Sequence, residues 1–202
     1  MPTLGDLKTR IYSELHYTES TAVQNAVESA IRSFNDQRFW FNEAQSTFVA
    51  SLTTLYALST AIPNLAELDT LKVWVNSRPF LLSRKPWAYL EDIDQGTGTG
   101  TPTDYAIHHE MLRIYPSPSA TYTVEASYCK KISLTASADA TGVWTNEAFD
   151  LIRHRAKALV YAEWMLDTEN AQRCETLAQM ELDRLQRQTS RYKSTDRIEP
   201  YL

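Results

Sequence analysis

The sequence MLRIYPSPSATYTVEASY, residues 111–128, alternates apolar and polar side chains on both sides of two prolines. A period of two is typical of half-buried β-strands, and prolines in this setting indicate that the chain reverses. We therefore expect Met111–Tyr115 and Thr121–Tyr128 to form a β-hairpin. After a Ser/Thr/Ala linker follows VWTNEAFDLIRHRAKALVYAEWML, residues 143–166, which predicts one long amphipathic helix to about Leu166.

Two shorter helices are predicted near the N-terminus. Apolar residues at three- and four-residue spacing follow Thr3, and the same pattern follows Thr21 and ends near Asn35. Thr21 and Gln24 have the spacing of a capping box, which would begin the second helix. The two apolar stripes consist of Leu4, Leu7, Ile11 and Leu15, and of Val23, Ala26, Val27, Ala30, Ile31 and Phe34.

The middle of the chain predicts short strands. From Arg38 the apolar period changes to two, and Gly, Pro and Asn residues interrupt the pattern. Asn76–Pro79 has the composition of a four-residue hairpin loop, and Ser83–Asp92 suits a short helix. Besides the pair at 111–128, the predicted strands are Thr47–Leu52, Thr54–Leu58, Asp69–Val75, Phe80–Leu82 and Asp104–His108.

A last helix is predicted to end near Gln188 and to lie antiparallel to the helix before it. Its stripe is Ala171, Cys174, Leu177, Ala178, Leu182 and Leu185, and the period is lost beyond it. The predicted fold class is α+β. Residues 1–37 and 144–188 form a helical bundle, residues 38–143 an inserted antiparallel β-sheet domain, and residues 189–202 an extended C-terminal arm.

Composition excludes several classes of protein. The 202 residues are 43% apolar and 22% charged, which is ordinary for a globular domain. We find no apolar run of the roughly 18 residues that a membrane helix needs, and no signal peptide at Met1–Leu15, so we expect a soluble protein made in the cytoplasm. Cys129 and Cys174 lack the spacing of a metal site or a disulfide framework.

Charge is distributed unevenly along the chain. Residues 1–150 hold 11 Lys and Arg against 17 Asp and Glu, whereas residues 151–202 hold 9 against 8. The net charge of −5 argues against a protein that reads DNA sequence, which would need a basic stripe.

No stretch predicts catalysis, a cofactor or a metal. Gly96–Gly100 has neither the lysine nor the following helix of a phosphate-binding loop, and His108-His109-Glu110 is typical of a hairpin turn. Glycosidase chemistry needs two carboxylates at a defined separation, and the sequence fixes none. The acidic residues near this loop are Asp92, Asp94 and Asp104.

Two basic stretches are candidate docking sites. Arg153, Arg155 and Lys157 form a polar arc on the helix at 143–166, either a solvated face or a surface for an acidic partner or phosphates. The C-terminal stretch is either a frayed end or an arm that a partner orders. It combines cations with apolar anchors: Arg191, Tyr192, Lys193, Arg197, Ile198, Tyr201 and Leu202.

Several features follow one another in a recognisable order along the chain. They are the N-terminal helix pair before Arg38-Phe-Trp-Phe41, Phe48 and Tyr56-x-Leu58, the hairpin around Asn76–Pro79, Leu112-Arg-Ile-Tyr-Pro-Ser-Pro118, Ile132-Ser-Leu134, Val143-Trp-Thr145 and the closing helix pair. In the order of these elements the chain resembles the head-to-tail adaptor (connector, head-completion) proteins of tailed bacteriophages, of the short-tailed-phage type. The likeness covers nearly the whole chain and depends on pattern, with no single diagnostic motif.

The resemblance implies a structural virion protein without enzymatic activity. Such a protein forms a ring, commonly of twelve copies, under the portal, in the neck between capsid and tail. It extends the DNA channel, through which DNA passes without sequence-specific binding, and it offers its lower rim to a tail or nozzle protein. In such proteins the C-terminal arm, here roughly Thr189–Leu202, engages the portal, and assembly takes place in the host cytoplasm.

Other functions stay open at this point. One alternative is a different neck or tail-completion protein, or a binding module that acts as a monomer or dimer. A virion-associated glycan hydrolase that uses Asp92 or Asp104 is a further alternative.

Overall fold

The computed structural model describes residues 1–16, 19–94, 98–132 and 142–194. The chain divides into two compact units. The first, called the helical unit, consists of Met1–Phe41 and Ile132–Leu202, and the second, called the sheet unit, is Asn42–Lys131. The predicted α+β class, with terminal helices and a central region of sheets, is confirmed.

Helix α1, Leu4–Leu15, begins as its sequence predicts. The Asp6 N–H donates to Thr3 Oγ1 over 3.0 Å, and the Thr3 N–H donates to Asp6 Oδ2 over 2.8 Å. This reciprocal capping box satisfies two N–H groups that have no acceptor within the helix. All four residues of the predicted apolar stripe are buried.

Helix α2, Ser20–Phe34, buries its predicted stripe but begins differently. Its N-cap is Glu19, which makes no side-chain capping bond, so the predicted capping box at Thr21 and Gln24 is wrong. Ala22 and Val23 are both buried, and helical backbone from Ser20 onward is what directs them into the core. The predicted end near Asn35 is confirmed.

The long helix predicted from Val143 to Leu166 is two helices. Helix α5 is Val143–Glu147 and helix α6 is Phe149–Glu163, with a break at Ala148. The break accompanies the burial of Trp144, whose Nε1–H donates to the Ile132 carbonyl over 3.1 Å. The Trp144 ring also packs edge-on against Phe39 and Phe41, with ring centroids 6.0 and 5.5 Å away.

Helix α7, Thr168–Ser194, is antiparallel to α6, as predicted. The Asn170 N–H donates to Asp167 Oδ1 at its start, over 3.1 Å. An ion pair between Arg155 and Glu175 joins the two helices. The predicted end near Gln188 is wrong, because the first six residues of the predicted arm, 189–194, continue the helix.

The sheet unit contains two four-stranded sheets and one pair of short strands among the residues that the structure describes. The first sheet has the order β1-β10-β3-β4 and is antiparallel throughout. Its strands are β1 (Glu43–Ala50), β3 (Leu65–Val75), β4 (Arg78–Leu81) and β10 (Tyr122–Lys130).

The second sheet has the order β2-β8-β7-β5, with β5 and β7 parallel. Its strands are β2 (Leu55–Ala57), β5 (Ser83–Arg84), β7 (Asp104–His108) and β8 (Met111–Tyr115). The short pair is β6 (Thr99–Gly100) and β9 (Ser117–Pro118), and the unit also holds helices α3 (Leu58–Ala61) and α4 (Trp87–Ile93).

The predicted hairpin between Met111–Tyr115 and Thr121–Tyr128 is wrong, as is the prediction of a single inserted sheet. Strand β8 pairs with β2 and β7, whereas β10 pairs with β1 and β3. Residues of both strands, including Leu112 and Val124, belong to one buried cluster. The alternation was therefore identified correctly, but the two strands bury their apolar sides in a shared core and are not neighbours in one sheet.

The predicted four-residue loop at Asn76–Pro79 is a two-residue turn. Asn76 and Ser77 both have positive φ, 49° and 63°, as a tight hairpin turn requires. Pro79 lies in β4 opposite Trp74, at the edge of the sheet. Proline has no N–H for the ladder, and an edge strand tolerates that loss.

Other element limits also shifted. A 3₁₀ turn, Trp40–Asn42, replaces the period-two start that the sequence suggested, and the first strand begins at Glu43. The predicted short helix at Ser83–Asp92 is present from Trp87 onward.

Cys129 and Cys174 are buried thiols that form no disulfide, and burial raises the pKa of Cys174.

Candidate docking surfaces

The end of α7 is fastened to the residues around Trp40. The Trp40 N–H donates to Thr189 Oγ1 over 3.3 Å, and the Thr189 hydroxyl donates to the Leu185 carbonyl over 2.9 Å. The Tyr192 ring stacks on the Trp40 indole, with centroids 5.5 Å apart and planes inclined by 27°. These contacts explain why the helix continues past Gln188.

The outward side of this end is basic and aromatic. Arg184, Arg187 and Arg191 are exposed, and the sequence has no carboxylate between Asp183 and Asp196. Tyr192 remains 59% exposed although its ring is stacked. A cavity of about 770 Å³ lies beside these residues. Exposed arginine and tyrosine are side chains that protein interfaces favour.

Only some of the predicted portal-docking residues lie within the part of the chain that the structure describes. Arg191 and Tyr192 lie on α7 and are exposed, and Lys193 belongs to the last turn of the same helix. The other members of the set, Arg197, Ile198, Tyr201 and Leu202, lie outside the described residues.

The other predicted docking stretch forms intramolecular ion pairs. Glu14 on α1 accepts from Arg153 Nη1 and from Lys157 Nζ, each over 2.9 Å. Arg153 Nη2 also lies 3.0 Å from Asp150, and Arg155 is ion-paired with Glu175 of α7. The side chains of Arg153 and Lys157 are only 13% and 15% exposed. Their charges therefore connect α6 to its neighbours.

Electrostatics in this cluster favour an ionised Glu14. Burial opposes the charge, but hydrogen bonds from Lys157 and Arg10 and the nearby charges of Arg153 and Lys157 hold the pKa of Glu14 below its ordinary value. Burial lowers the pKa of His154, and the positive charges of Arg153 and Lys157 lower it further. His154 Nε2 lies 3.2 Å from Arg153 Nη2, which can only donate, so the imidazole is neutral there.

Sequence reasoning missed a second charged cluster, in the sheet unit. Arg113 Nη2 lies 2.8 Å from Asp94 Oδ2, and the guanidinium lies 5.6 Å from the centroid of the Trp87 ring. The Trp87 Nε1–H donates to Glu91 over 2.8 Å. The sequence feature that could have indicated this cluster is the alternation of β8, which places Arg113 on the side of the strand opposite Leu112. Its partners come from α4 and from Asp94, the residue that follows this helix, more than a dozen residues earlier.

The carboxylates considered for glycosidase chemistry do not form a catalytic pair in this geometry. Asp94 is bound to Arg113, and Asp104 accepts from the Thr103 hydroxyl over 2.8 Å and lies 3.8 Å from Lys85 Nζ. Asp92 is exposed at the end of α4. Asp94 and Asp104 are thus each paired with a separate cation and not with each other.

The other two stretches considered for chemistry are the histidine pair at 108–109 and the glycine-rich loop at 96–100. His109 has a φ of 51° in the turn between β7 and β8, and its ring centroid lies 4.3 Å from that of His108. Of the phosphate-loop candidate, Gly98–Gly100 is described and Gly96–Thr97 lies outside the described residues. Across the described residues, no group of three His, Cys, Asp or Glu side chains is placed to hold a metal ion. Nor does any described helix combine the length and apolarity needed to cross a membrane.

Comparison with protein families adds the decisive observation. The family described as SU10 adaptor protein matches residues 2–199. The chain belongs to the SU10 adaptor protein family. The resemblance to phage head-to-tail adaptors is thereby confirmed at the level of the family. An SU10 adaptor is a structural phage protein of the virion that interacts with other head and tail proteins. No curated protein matches the chain.

Proposed function

We propose that this SU10 adaptor forms a ring, commonly of twelve copies, under the portal in the neck of the virion. The ring extends the DNA channel and provides the attachment site for a tail or nozzle protein. The family match over residues 2–199 is the observation that carries the proposal. Assembly takes place in the host cytoplasm, and the proposal assigns no enzymatic step to the chain.

The charge balance suits a conduit for DNA. Residues 1–150 carry a net charge of −6, from 11 cationic and 17 anionic side chains. Negative walls repel phosphates, so DNA passes without being retained. The basic C-terminal stretch then serves a protein partner and not DNA.

The C-terminal end of α7 is the portal-docking element in this proposal. It is anchored through the side chains of Thr189 and Tyr192, and Arg191 between them is exposed. A rigid helical base reduces the entropy lost when the residues beyond it engage a partner. Arg197, Ile198, Tyr201 and Leu202 supply the charge and apolar side chains for that contact.

The test is a chain that ends at Ser194, assayed for binding to purified portal protein. Truncation at 188 would also remove Thr189 and Tyr192, which contact Trp40 and so contribute to folding. We expect the shorter chain to keep its thermal midpoint and to lose portal binding by at least about tenfold, or about 1.4 kcal/mol. Arg191→Glu should weaken binding in the same direction.

The matched control is Arg32→Glu on α2, an arginine whose side chain is 78% exposed. It should leave portal binding unchanged. Portal binding by the 194-residue chain at full strength would remove the docking role from the C-terminal residues. A wild-type protein that stays monomeric or dimeric with portal present would favour the alternative of a monomeric binding module.

A further inference from the structure

We propose that the helical unit docks head-to-tail on a second copy of this chain. The acidic tip, defined as Glu163, Met165, Leu166 and Glu169, would contact the basic face of the neighbour. The basic face is defined as Met180, Arg184 and Arg187 on α7. The inference rests on the proposed ring and names the surfaces that build it.

The acidic tip is the connection between α6 and α7. Between Lys157 and Arg173 the sequence has three carboxylates, Glu163, Asp167 and Glu169, and no Lys or Arg. Asp167 is engaged with Asn170, which leaves Glu163 and Glu169 as exposed carboxylates on either side of the turn. The tip therefore presents two negative charges to solvent, and the nearest cation along the chain is Arg173, one helical turn after Glu169.

Leu166 at the centre of the acidic tip is unfavourable for the isolated chain. Its φ is 53°, a left-handed conformation that glycine or asparagine adopts at lower cost. Its side chain is 80% exposed, and Met165 beside it is 39% exposed. A strained leucine that packs on so little of its own chain is explained if a partner covers it.

Glu163 is also unfavourable locally. It is the last residue of α6, where the helix macrodipole favours cations and disfavours carboxylates. The macrodipole of α7 accounts for Glu169 in its first turn but not for Glu163. A basic surface on another molecule would compensate the charge of Glu163.

The basic face combines exposed cations with an exposed methionine, and Glu181 and Asp183 are the carboxylates of the same stretch. Met180, Arg184 and Arg187 recur at four- and three-residue spacing and thus share one side of α7. Met180 is 63% exposed, and Arg184 and Arg187 are exposed around its C-terminal side. Arg184 Nε lies 2.7 Å from Glu181, which leaves the terminal nitrogens of its guanidinium to other acceptors.

Within the described length of α7, the two surfaces lie too far apart to contact each other. Glu169 and Arg187 lie on the same helix, 18 residues apart, which corresponds to about 27 Å along its axis. That distance exceeds a Debye length of about 8 Å at physiological salt, so the two clusters do not neutralise each other. A second copy supplies cations for Glu163 and a methionine to cover Leu166.

A contact between two different surfaces of identical chains is heterologous, and such contacts close into a ring when the rotation between neighbours permits. The same chain thus provides every contact of the ring. An unrelated acidic or basic partner would need only one of the two surfaces and would leave the other unexplained.

The test is charge reversal followed by charge restoration, in the full-length protein assembled with its portal and measured by native mass spectrometry. E163K/E169K and R184E/R187E should each reduce the assembled fraction at least about tenfold. An equimolar mixture of the two variants should assemble again. In a ring where the variants alternate, the lysines of one tip face the glutamates of the neighbour, and the native tip faces native arginines. The control E28K/R32E swaps the charges of an α2 pair and should leave assembly unchanged.

Leu166→Gly separates docking from folding. Glycine suits the left-handed position, so the thermal midpoint of the monomer should stay equal or rise, while assembly falls. Assembly that is unaffected by both charge reversals and by Leu166→Gly would overturn the inference. Loss of assembly in both variants without recovery in the mixture would overturn the direct pairing of the two surfaces.

The outcomes also separate this inference from the proposed function. Wild-type rings that tolerate every substitution contradict the head-to-tail contact and leave the adaptor ring intact. A wild-type protein that forms no ring with its portal contradicts the proposed function itself.

Discussion

The helical unit contains two groups of basic side chains that look alike in sequence and differ in their surroundings. Arg153 and Lys157 share the carboxylate of Glu14 and are largely buried. Arg184 and Arg187 project from α7 into solvent. Cations of the first group connect helices within one molecule, whereas Arg187 and the terminal nitrogens of Arg184, whose Nε pairs with Glu181, remain available to another. A run of positive charge thus acquires its role from the elements packed against it.

The largest effect on stability is expected at Glu14, the carboxylate that Arg153 and Lys157 share. Glu14→Gln leaves Arg153 and Lys157 without their shared carboxylate, and we expect a loss of about 2 kcal/mol in the free energy of unfolding. Urea denaturation measures this. Glu28→Gln, which breaks an exposed pair with Arg32, is the control and should cost less than about 0.5 kcal/mol. Equal losses in both variants would contradict the distinction between the two groups.

A smaller loss is expected at the fastened end of α7. Tyr192→Ala removes the ring that stacks on Trp40, and aromatic pairs of this kind contribute about 1 kcal/mol. Thermal unfolding should show a lower midpoint. Ser190→Ala, two residues away and exposed, should leave the midpoint where it is. A Tyr192→Ala protein as stable as wild type would mean that the end of α7 does not need this contact.

His154, which lies beside Arg153, should also make the stability of the protein depend on pH. The pKa of His154 is lowered in the folded protein, so the unfolded chain binds a proton first as pH falls. Stability is therefore full above about pH 6.5 and declines below it, by at most about 1.4 kcal/mol per pH unit. The contribution of Glu14, whose pKa is also lowered, persists to lower pH and is lost only as its carboxylate protonates. His154→Gln should flatten the decline just below pH 6.5, and an unchanged profile would exclude His154 as its source.

The smallest effect on stability is expected in the exposed group. Arg187→Gln should change the free energy of unfolding by less than about 0.5 kcal/mol, because its side chain lies in solvent. Chemical denaturation of Arg187→Gln and of Arg153→Gln measures the loss in the free energy of unfolding for one cation of each group. A loss at Arg187 as large as that at Arg153 would show that α7 uses this cation within its own unit.

Sequence patterns gave the element types well and their pairings poorly. The stripes of α1 and α2 were visible because every member lies within one helix. Strand β8 was also visible, but its partners β2 and β7 were not, since alternation marks a buried side and carries no information about the neighbouring strand. The break at Ala148 depends on the packing of Trp144 against Phe39 and Phe41, about a hundred residues away.

The candidate site was predicted only in part, for the same reason. The spacing of Leu185, Thr189 and Tyr192 does continue the stripe of α7, but a polar threonine obscures it, and its hydrogen-bond partner is the distant Trp40. Glu14 occupies an ordinary polar position on α1, so nothing local indicated that it would bind Arg153 and Lys157. The identities of the basic residues were read correctly, while the separation into buried and exposed groups required the fold.

The most direct measurement of the central proposal is electron microscopy of the full-length protein mixed with its portal. We predict a closed ring of adaptor copies coaxial with the portal, with the C-terminal end of each α7 at the portal surface. Portal particles without an added ring, beside adaptor that remains monomeric or dimeric, would contradict the proposed function.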